Sequence, residues 1–506
     1  LGTHTSYYDG LTYHEDTFTV AQSALSNGLN TAGLRQMVTD VSDNASLQWA
    51  SIEYQASNRV NWGLLGLAGL TGSNNYTCGP WNTNLAPWLL DISQVHRPVR
   101  VLDPQVSSVG ATGQVQWGDA AVAPPYYWLS EPGLIADVGI GPATSFKGLA
   151  ATNRQADYIM IVDTNLGKSA YRLARQRATQ GLRPLIVNIG DIYDEFSYGI
   201  KDAGAIKQFI GYAFHHWADP PPRYVVLVGD GSYDPRNNLG LGGASDLIPV
   251  HLGPSPNEFC ALDGWFATVN GSDYLTDVSL GRFPVSSDAQ MSNAVAKILA
   301  FEAAAANAAW RKKALCVADQ NDGLNNFPAA SDTHAVTNLV RAGFTTITKA
   351  YYAGNTATTR QTITNTINSG IFTVSYFGHG FTDIWAVGFD TNDVAKLNNS
   401  IWPVFNVLTC ANGAFDNPAT ECLTEKLLER NQRGAVATAS ASALSLQAAA
   451  EQFAGGFYAS LTNVTPNLRL GDAMDAGFLR LWGLSPNSEE LLFYGLFGDP
   501  AQVIKP

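Results

Sequence analysis

The sequence predicts an α/β protein with doubly wound, mostly parallel sheets in two subdomains, preceded by a β-sandwich-like N-terminal domain. Two patterns and one number predict it. From Tyr158 onward, short continuous apolar runs alternate with helical segments, which is how βαβ units read when both sheet faces are covered. Before about residue 150, polar and apolar residues alternate in short stretches separated by Gly, Asn and Pro. That is the pattern of half-buried antiparallel strands. The 506 residues exceed one ordinary core.

The β-rich region, 1–150, contains runs such as Thr17-Phe-Thr-Val and Leu47-Gln-Trp-Ala-Ser-Ile-Glu-Tyr. A sandwich follows, possessing fewer strands than a complete one if its start lies upstream. The first α/β subdomain, 151–310, opens with apolar runs at 158–163, 184–188 and 224–230, with helices at 168–180 and 202–217 between them. A strand at 278–282 and an Ala-rich helix at 287–308 close it. The second, 311–506, has strands at 314–318, 371–377, 404–409 and 435–440. Helices start near Asp332 and cover 359–369, 421–431, 446–461 and 468–481.

Composition excludes several classes. With 45% hydrophobic and 14% charged residues the chain has enough apolar surface to fold. A net charge of −13 argues against nucleic acid or an anionic membrane as partner and favours basic substrates or cations. No run of 18 apolar residues exists, so no transmembrane span is expected. Low Lys with high Asn, Thr, Ser and Gly points to an extracellular or cell-surface location. The chain opens at Leu1 without a signal peptide, which reads as a piece of a longer precursor whose other parts are potential partners. The five cysteines lack metal-ligand spacing, and their odd number leaves a thiol free.

Ligands of open α/β sheets bind beyond the carboxyl ends of the strands. Four sequences stand there: Asp230-Gly-Ser-Tyr-Asp234, Gly378-His379-Gly380, Cys410-Ala-Asn-Gly413 and Ser440-Ala-Ser442. A His between glycines can simply shape a turn, and a Cys at a strand end is usually a small buried hydrophobe. Both together, ending apolar strands one helical crossover apart, make a nucleophile and base pair.

At these residues the chain resembles the gingipain-type cysteine peptidases of the caspase-like clan. The pattern is an apolar strand ending in His-Gly, then one ending in Cys: Ile371-Phe-Thr-Val-Ser-Tyr-Phe-Gly-His379-Gly380 and Pro403-Val-Phe-Asn-Val-Leu-Thr-Cys410. Val228-Gly-Asp230-Gly-Ser-Tyr-Asp234, Asp263, Gly281-Arg282-Phe-Pro284 and Phe497-Gly-Asp-Pro500 extend the similarity over about 155–506. The resemblance implies a caspase-like fold and a protein or peptide substrate. Cys410 is then the nucleophile, His379 the acid–base partner, and the Gly380 and Cys410 N–H groups the oxyanion hole. It implies a specificity carboxylate at Asp263, hence cleavage after Arg or Lys, with Ser440 and Ser442 on the substrate wall. The segment Ala441-Ser-Ala-Leu-Ser-Leu446 lacks the bulky aromatic that the best-known members carry there. Glu258 is the first candidate for a third, orienting acid, and Asp230 the alternative. No cofactor is required for catalysis. Structural calcium is implied, with Asp273, Asp277, Asp319 and Asp322 as candidate ligands.

Two other readings compete. One is a catalytically silent surface or scaffold protein that keeps the fold. The other is an adhesin that binds through Trp62, Trp81, Trp88 and Trp117 of the β-rich region. The lack of a Gly-x-Ser-x-Gly elbow argues against a serine hydrolase, and the lack of a phosphate-cradling glycine motif after the first strand argues against a nucleotide enzyme.

Overall fold

The computed structural model describes Thr17, Thr19, Ala21, Val60, and residues 63–94, 97–109, 112–134, 146–241, 246–255, 258–462 and 467–504. Phe18 and Val20, and with them the first expected strand, lie outside the described residues. So do the run 47–54 and Trp62. The described residues up to Leu134 belong to one compact unit and those from Phe146 to another.

The first unit has strands β1 (Leu64–Ala68), β2 (Gly72–Trp81), β3 (Trp88–Asp91), β4 (Val99–Arg100), β5 (Gln105–Val109), β6 (Thr112–Ala121) and β7 (Tyr126–Ser130). They pair antiparallel in two sheets, β1-β7-β3-β4 and β2-β6-β5. In β6, Val115 and Trp117 are buried while Gln116 and Gly118 are exposed, the two-residue period of a half-buried strand. Tyr76, Trp81, Val115 and Trp117 from one sheet meet Leu89, Tyr127 and Leu129 from the other in one core. This is the expected sandwich. Trp81 and Trp117 are spent in that core, and the Arg100 guanidinium lies 4.3 Å from the Trp88 ring centre. Two of the tryptophans behind the adhesin reading are thus core residues, and a third is half-buried under an arginine.

The second unit contains β8 (Tyr158–Val162), β9 (Pro184–Asn188), β10 (Tyr224–Val228), β11 (Leu252–Pro254), β12 (Phe259–Ala261), β13 (Ser279–Phe283), β14 (Lys313–Ala318) and β15 (Thr346–Tyr351). It continues with β16 (Thr373–Phe377), β17 (Gly380–Phe381), β18 (Ile384–Trp385), β19 (Val404–Leu408), β20 (Ala437–Ala441) and β21 (Tyr494–Phe497). Ten of them form one sheet in the order β15-β14-β16-β19-β20-β21-β13-β10-β8-β9. Every residue of β8, β10, β16, β19 and β20 is buried, which is why these strands read as unbroken apolar runs. Each buried Val, Leu or Ile adds about 1.5–3 kcal/mol of transfer free energy.

The strands of the two expected subdomains, 151–310 and 311–506, are joined edge to edge. The two segments occupy the two halves of a single sheet. On one face they share a core that includes Met160, Val226, Cys316 and Ala439. On the other face each half has its own, around Ile159 and Leu227 or around Val374 and Val407. The join is β21, antiparallel to β20 but parallel to β13. Strands β8–β10 and β13 therefore run against β14, β16, β19 and β20. Their C-terminal ends leave the opposite edge, so Asp230 does not share an edge with His379 and Cys410. No helix among the described residues is long and apolar enough to cross a membrane.

Candidate active site

Strands β16 and β19 are parallel neighbours, with Phe377 opposite Leu408. His379 and Cys410 each lie two residues beyond that pair. Adjacent strands are about 4.8 Å apart, so equal offsets bring both residues to one level of one edge. The Gly378 N–H donates to the Leu408 carbonyl at 3.4 Å and extends the ladder one step. Cys410 is half-buried and His379 exposed.

The loops beyond the two strands are tied to each other. The Asn412 amide donates to the Phe381 carbonyl at 2.6 Å and accepts from the Trp385 indole at 2.9 Å. Asn412 and Trp385 are both fully buried, so a polar staple fixes the His loop to the Cys loop. The Tyr376 hydroxyl donates to the His379 carbonyl at 2.5 Å. Gly380 is required by space, because a Cβ there would meet Thr409 Oγ1 at 2.7 Å and the Ile384 carbonyl at 2.9 Å. Directly after the thiol, Ala411 has φ 49°. That left-handed conformation costs a non-glycine residue about 1–2 kcal/mol.

The imidazole has a partner that the sequence reading placed elsewhere. His379 Nε2 is 2.8 Å from Asp322 Oδ2, and the edge of the ring meets Phe327 at 5.0 Å between centres. The Asn325 N–H bond, then His379, hold the Asp322 carboxyl well below the usual carboxylate range. Asp322 leaves the loop after β14, the strand beside β16.

Glu258 does not reach His379. Its Oε1 accepts from Leu444 N–H at 2.9 Å, whereas the carboxylate bonded to the imidazole is that of Asp322. Asp263 is not open for a substrate cation. Arg282, 1% exposed, grips it with Nε–Oδ2 at 2.6 Å and Nη2–Oδ1 at 2.9 Å. Arg282 Nη1 also donates to the Gly229 and Ile248 carbonyls. Ser440 is wholly buried in β20, and Ser442 donates to the Ala261 carbonyl at 2.6 Å and the Phe493 carbonyl at 3.1 Å. Both serines belong to the interior rather than to a substrate wall.

The four candidate calcium ligands do not converge. Asp273 accepts from Leu275 N–H, and Asp277 from Val269 and Asn270 N–H. Asp319 accepts from Gln320 N–H, and Asp322 from Leu324 and Asn325 N–H as well as from His379. Each is engaged by backbone amides, and among the described residues no three His, Cys, Asp or Glu side chains group to hold a metal. These residues do not fit a shared cation.

The Asp263–Arg282 pair carries a stability prediction. Asp263→Ala strands a buried guanidinium, which costs about 3–5 kcal/mol. Denaturant melting of the two proteins measures it, and an unchanged midpoint refutes it.

Sequence reasoning missed the groups around the sulfur. Ser445 N–H donates to Cys410 Sγ at 3.4 Å, and Sγ lies 3.6 Å from the Ser445 carbonyl. Burial pushes the Cys410 thiol up, the Ser445 amide opposes that, and the Glu490 and Glu258 charges add to it. All five cysteines are free, and Cys410 alone is not buried.

A thiol and an imidazole ending neighbouring strands of a mostly parallel α/β sheet are the architecture of the caspase-like cysteine peptidases. The sequence profile of peptidase family C25 matches residues 151–505, and the chain belongs to that family. Gingipain R2 of Porphyromonas gingivalis is 27% identical over 239 residues, 46% of this chain and 29% of its own length. Gingipain R1 of the same species gives 27% over 239 residues, 46% of this chain and 22% of its own. The chain thus matches less than a third of the length of these relatives. Among solved structures, the Arg-specific cysteine proteinase gingipain R superposes with a TM-score of 0.59 at 22% identity, covering 72% of this chain and 80% of that one. The complex of the P. gingivalis RgpB pro- and mature domains gives 0.58 at 22%, covering 69% and 79%.

Proposed function

We propose that the chain is a cysteine endopeptidase acting through Cys410, His379 and Asp322. The observation that carries this is the pairing of equal strand-end offsets for sulfur and imidazole with a carboxylate already on the imidazole. Cys410 attacks the scissile carbonyl and forms an acyl-enzyme. His379 takes the thiol proton, gives it to the leaving amine, and then activates the deacylating water. Asp322 fixes the ring and stabilises its cationic form. The Gly380 and Cys410 N–H groups receive the oxyanion, and each such donor is worth about 3 kcal/mol.

For specificity we keep cleavage after Arg or Lys, on different grounds from Asp263. The support is the net charge of −13, the Arg specificity stated for one structural relative, and Glu258, a half-buried acid in the loop network beside the sulfur. We place the protein outside the cell or at its surface on its low lysine content, which cell fractionation tests. Parts of its own precursor are proposed partners, as one relative is known in complex with its pro-domain.

A thiol-reactive peptidyl probe tests the activity. Labelling at Cys410 that a Cys410→Ala chain loses is expected, and no labelling supports the silent scaffold instead. Cleavage of a peptide library should then show cuts after Arg and Lys. Cuts confined to acidic or apolar residues would end the basic preference and leave the peptidase reading standing.

A further inference from the structure

Three consecutive amides of the loop after β20 point at three different acceptors. Leu444 N–H donates to Glu258 Oε1 at 2.9 Å, Ser445 N–H to Cys410 Sγ at 3.4 Å, and Leu446 N–H to Glu490 Oε1. The Ser445 hydroxyl donates to the same Glu490 oxygen at 3.3 Å. The acids come from distant parts of the chain. Glu258 precedes β12, and Glu490 opens the helix Glu490–Phe493 that leads into β21. Because β21 is antiparallel to β20, with Tyr494 opposite Ala441, that helix arrives at the edge where β20 ends. Glu490 is only 3% exposed, and a buried carboxylate persists where donors meet it.

We propose that Glu258 and Glu490 are positioning residues that clamp the Leu444 and Leu446 amides so that the Ser445 N–H stays on the attacking sulfur. The proposal rests on the peptidase reading above and deepens it. An N–H donated to sulfur favours the thiolate, which is the nucleophilic form. One long N–H···S bond cannot hold a loop by itself. Fixing the amides on both sides leaves the middle one little freedom to turn away. The two carboxylates act by position, since their negative charges oppose the thiolate. Of the influences on the thiol, the Ser445 amide outranks both charges. Burial pushes the Glu490 carboxyl up to about 7, the bonds from Leu446 and Ser445 oppose that, and the other acid acting on it is Glu489; His379 with Asp322 stand at the neighbouring strand end.

Position and charge separate experimentally. Glu490→Gln and Glu490→Ala both remove the charge, but Gln keeps an oxygen for the Leu446 amide and the Ser445 hydroxyl. The rate of Cys410 alkylation by iodoacetamide is followed against pH on the full chain, with Cys410→Ala as background. The midpoint of Glu490→Ala should lie above that of Glu490→Gln, making alkylation at neutral pH about tenfold slower, as expected for losing a bond to a charged group. Glu258→Ala should lie above Glu258→Gln in the same way. A merely structural role lowers the yield of folded protein without moving the midpoint. If Glu490→Ala does not fold, the pair at 258 decides. Equal midpoints for Ala and Gln overturn the clamp while wild type still labels. A wild type that is not alkylated at Cys410 at any pH overturns both the clamp and the peptidase reading.

Discussion

Cys410→Ala should lower kcat/KM for peptide cleavage by about 10⁴-fold or more while leaving the fold intact, because no other group can form the acyl-enzyme. The other four thiols are buried. Burial pushes Cys78 up to about 11, and Cys260 and Cys316 up to about 12, where a thiol is inert at neutral pH. The Cys422 thiol is raised as well. The polar contacts that the substitution gives up are the long ones to the Ser445 backbone, so its stability cost is on the order of 1 kcal/mol. Initial rates beside a thermal melt measure both quantities. A Cys410→Ala protein that melts like wild type and still cleaves at the wild-type rate removes Cys410 from the chemistry. The same substitution at Cys316 should leave turnover intact at the expense of the core.

What the sequence disclosed here follows from how each residue is held. Strands such as β10, β16 and β19 are buried on both faces, so each is an unbroken apolar run, and their ends locate His379 and Cys410 without knowledge of the sheet. β15 escaped because it is an edge strand, in which only Ala350 of Thr346–Tyr351 is buried, and a mixed run of that kind carries no continuous apolar signal. The direction of the β8–β10 half escaped for another reason. It is decided by β21, four residues whose antiparallel pairing with β20 depends on partners far away in sequence. Side-chain pairings were the least legible. Asp263 and Arg282 were each recognisable as family residues, but nothing in their spacing says that they satisfy one another. Asp322 was visible as a loop acid. That it closes a turn and holds His379 with the same carboxylate depends on β14 and β16 being neighbours.

The double use of Asp322 leads to the second large effect. Asp322→Asn should lower kcat by about 10²–10⁴-fold while sparing the loop, since an amide oxygen can still accept from Leu324 and Asn325 N–H. What it loses is the negative charge that stabilises the imidazolium formed when His379 takes the thiol proton. The pH behaviour follows from the sign of the shift. A carboxyl held below its ordinary range contributes fully above about pH 4 and loses that contribution only as pH falls through its lowered value. Asp322 is therefore charged wherever peptide cleavage is assayed, so the acid limb of the activity profile must come from another group. In the Asn variant the fall in kcat should be nearly uniform from mildly acidic to neutral pH. Alkylation of Cys410 at high pH, where the thiolate needs no base, should match wild type. An Asp322→Asn enzyme that turns over as fast as wild type would leave the carboxylate with its turn alone. One that loses both turnover and high-pH alkylation would show a collapsed site instead of a missing charge.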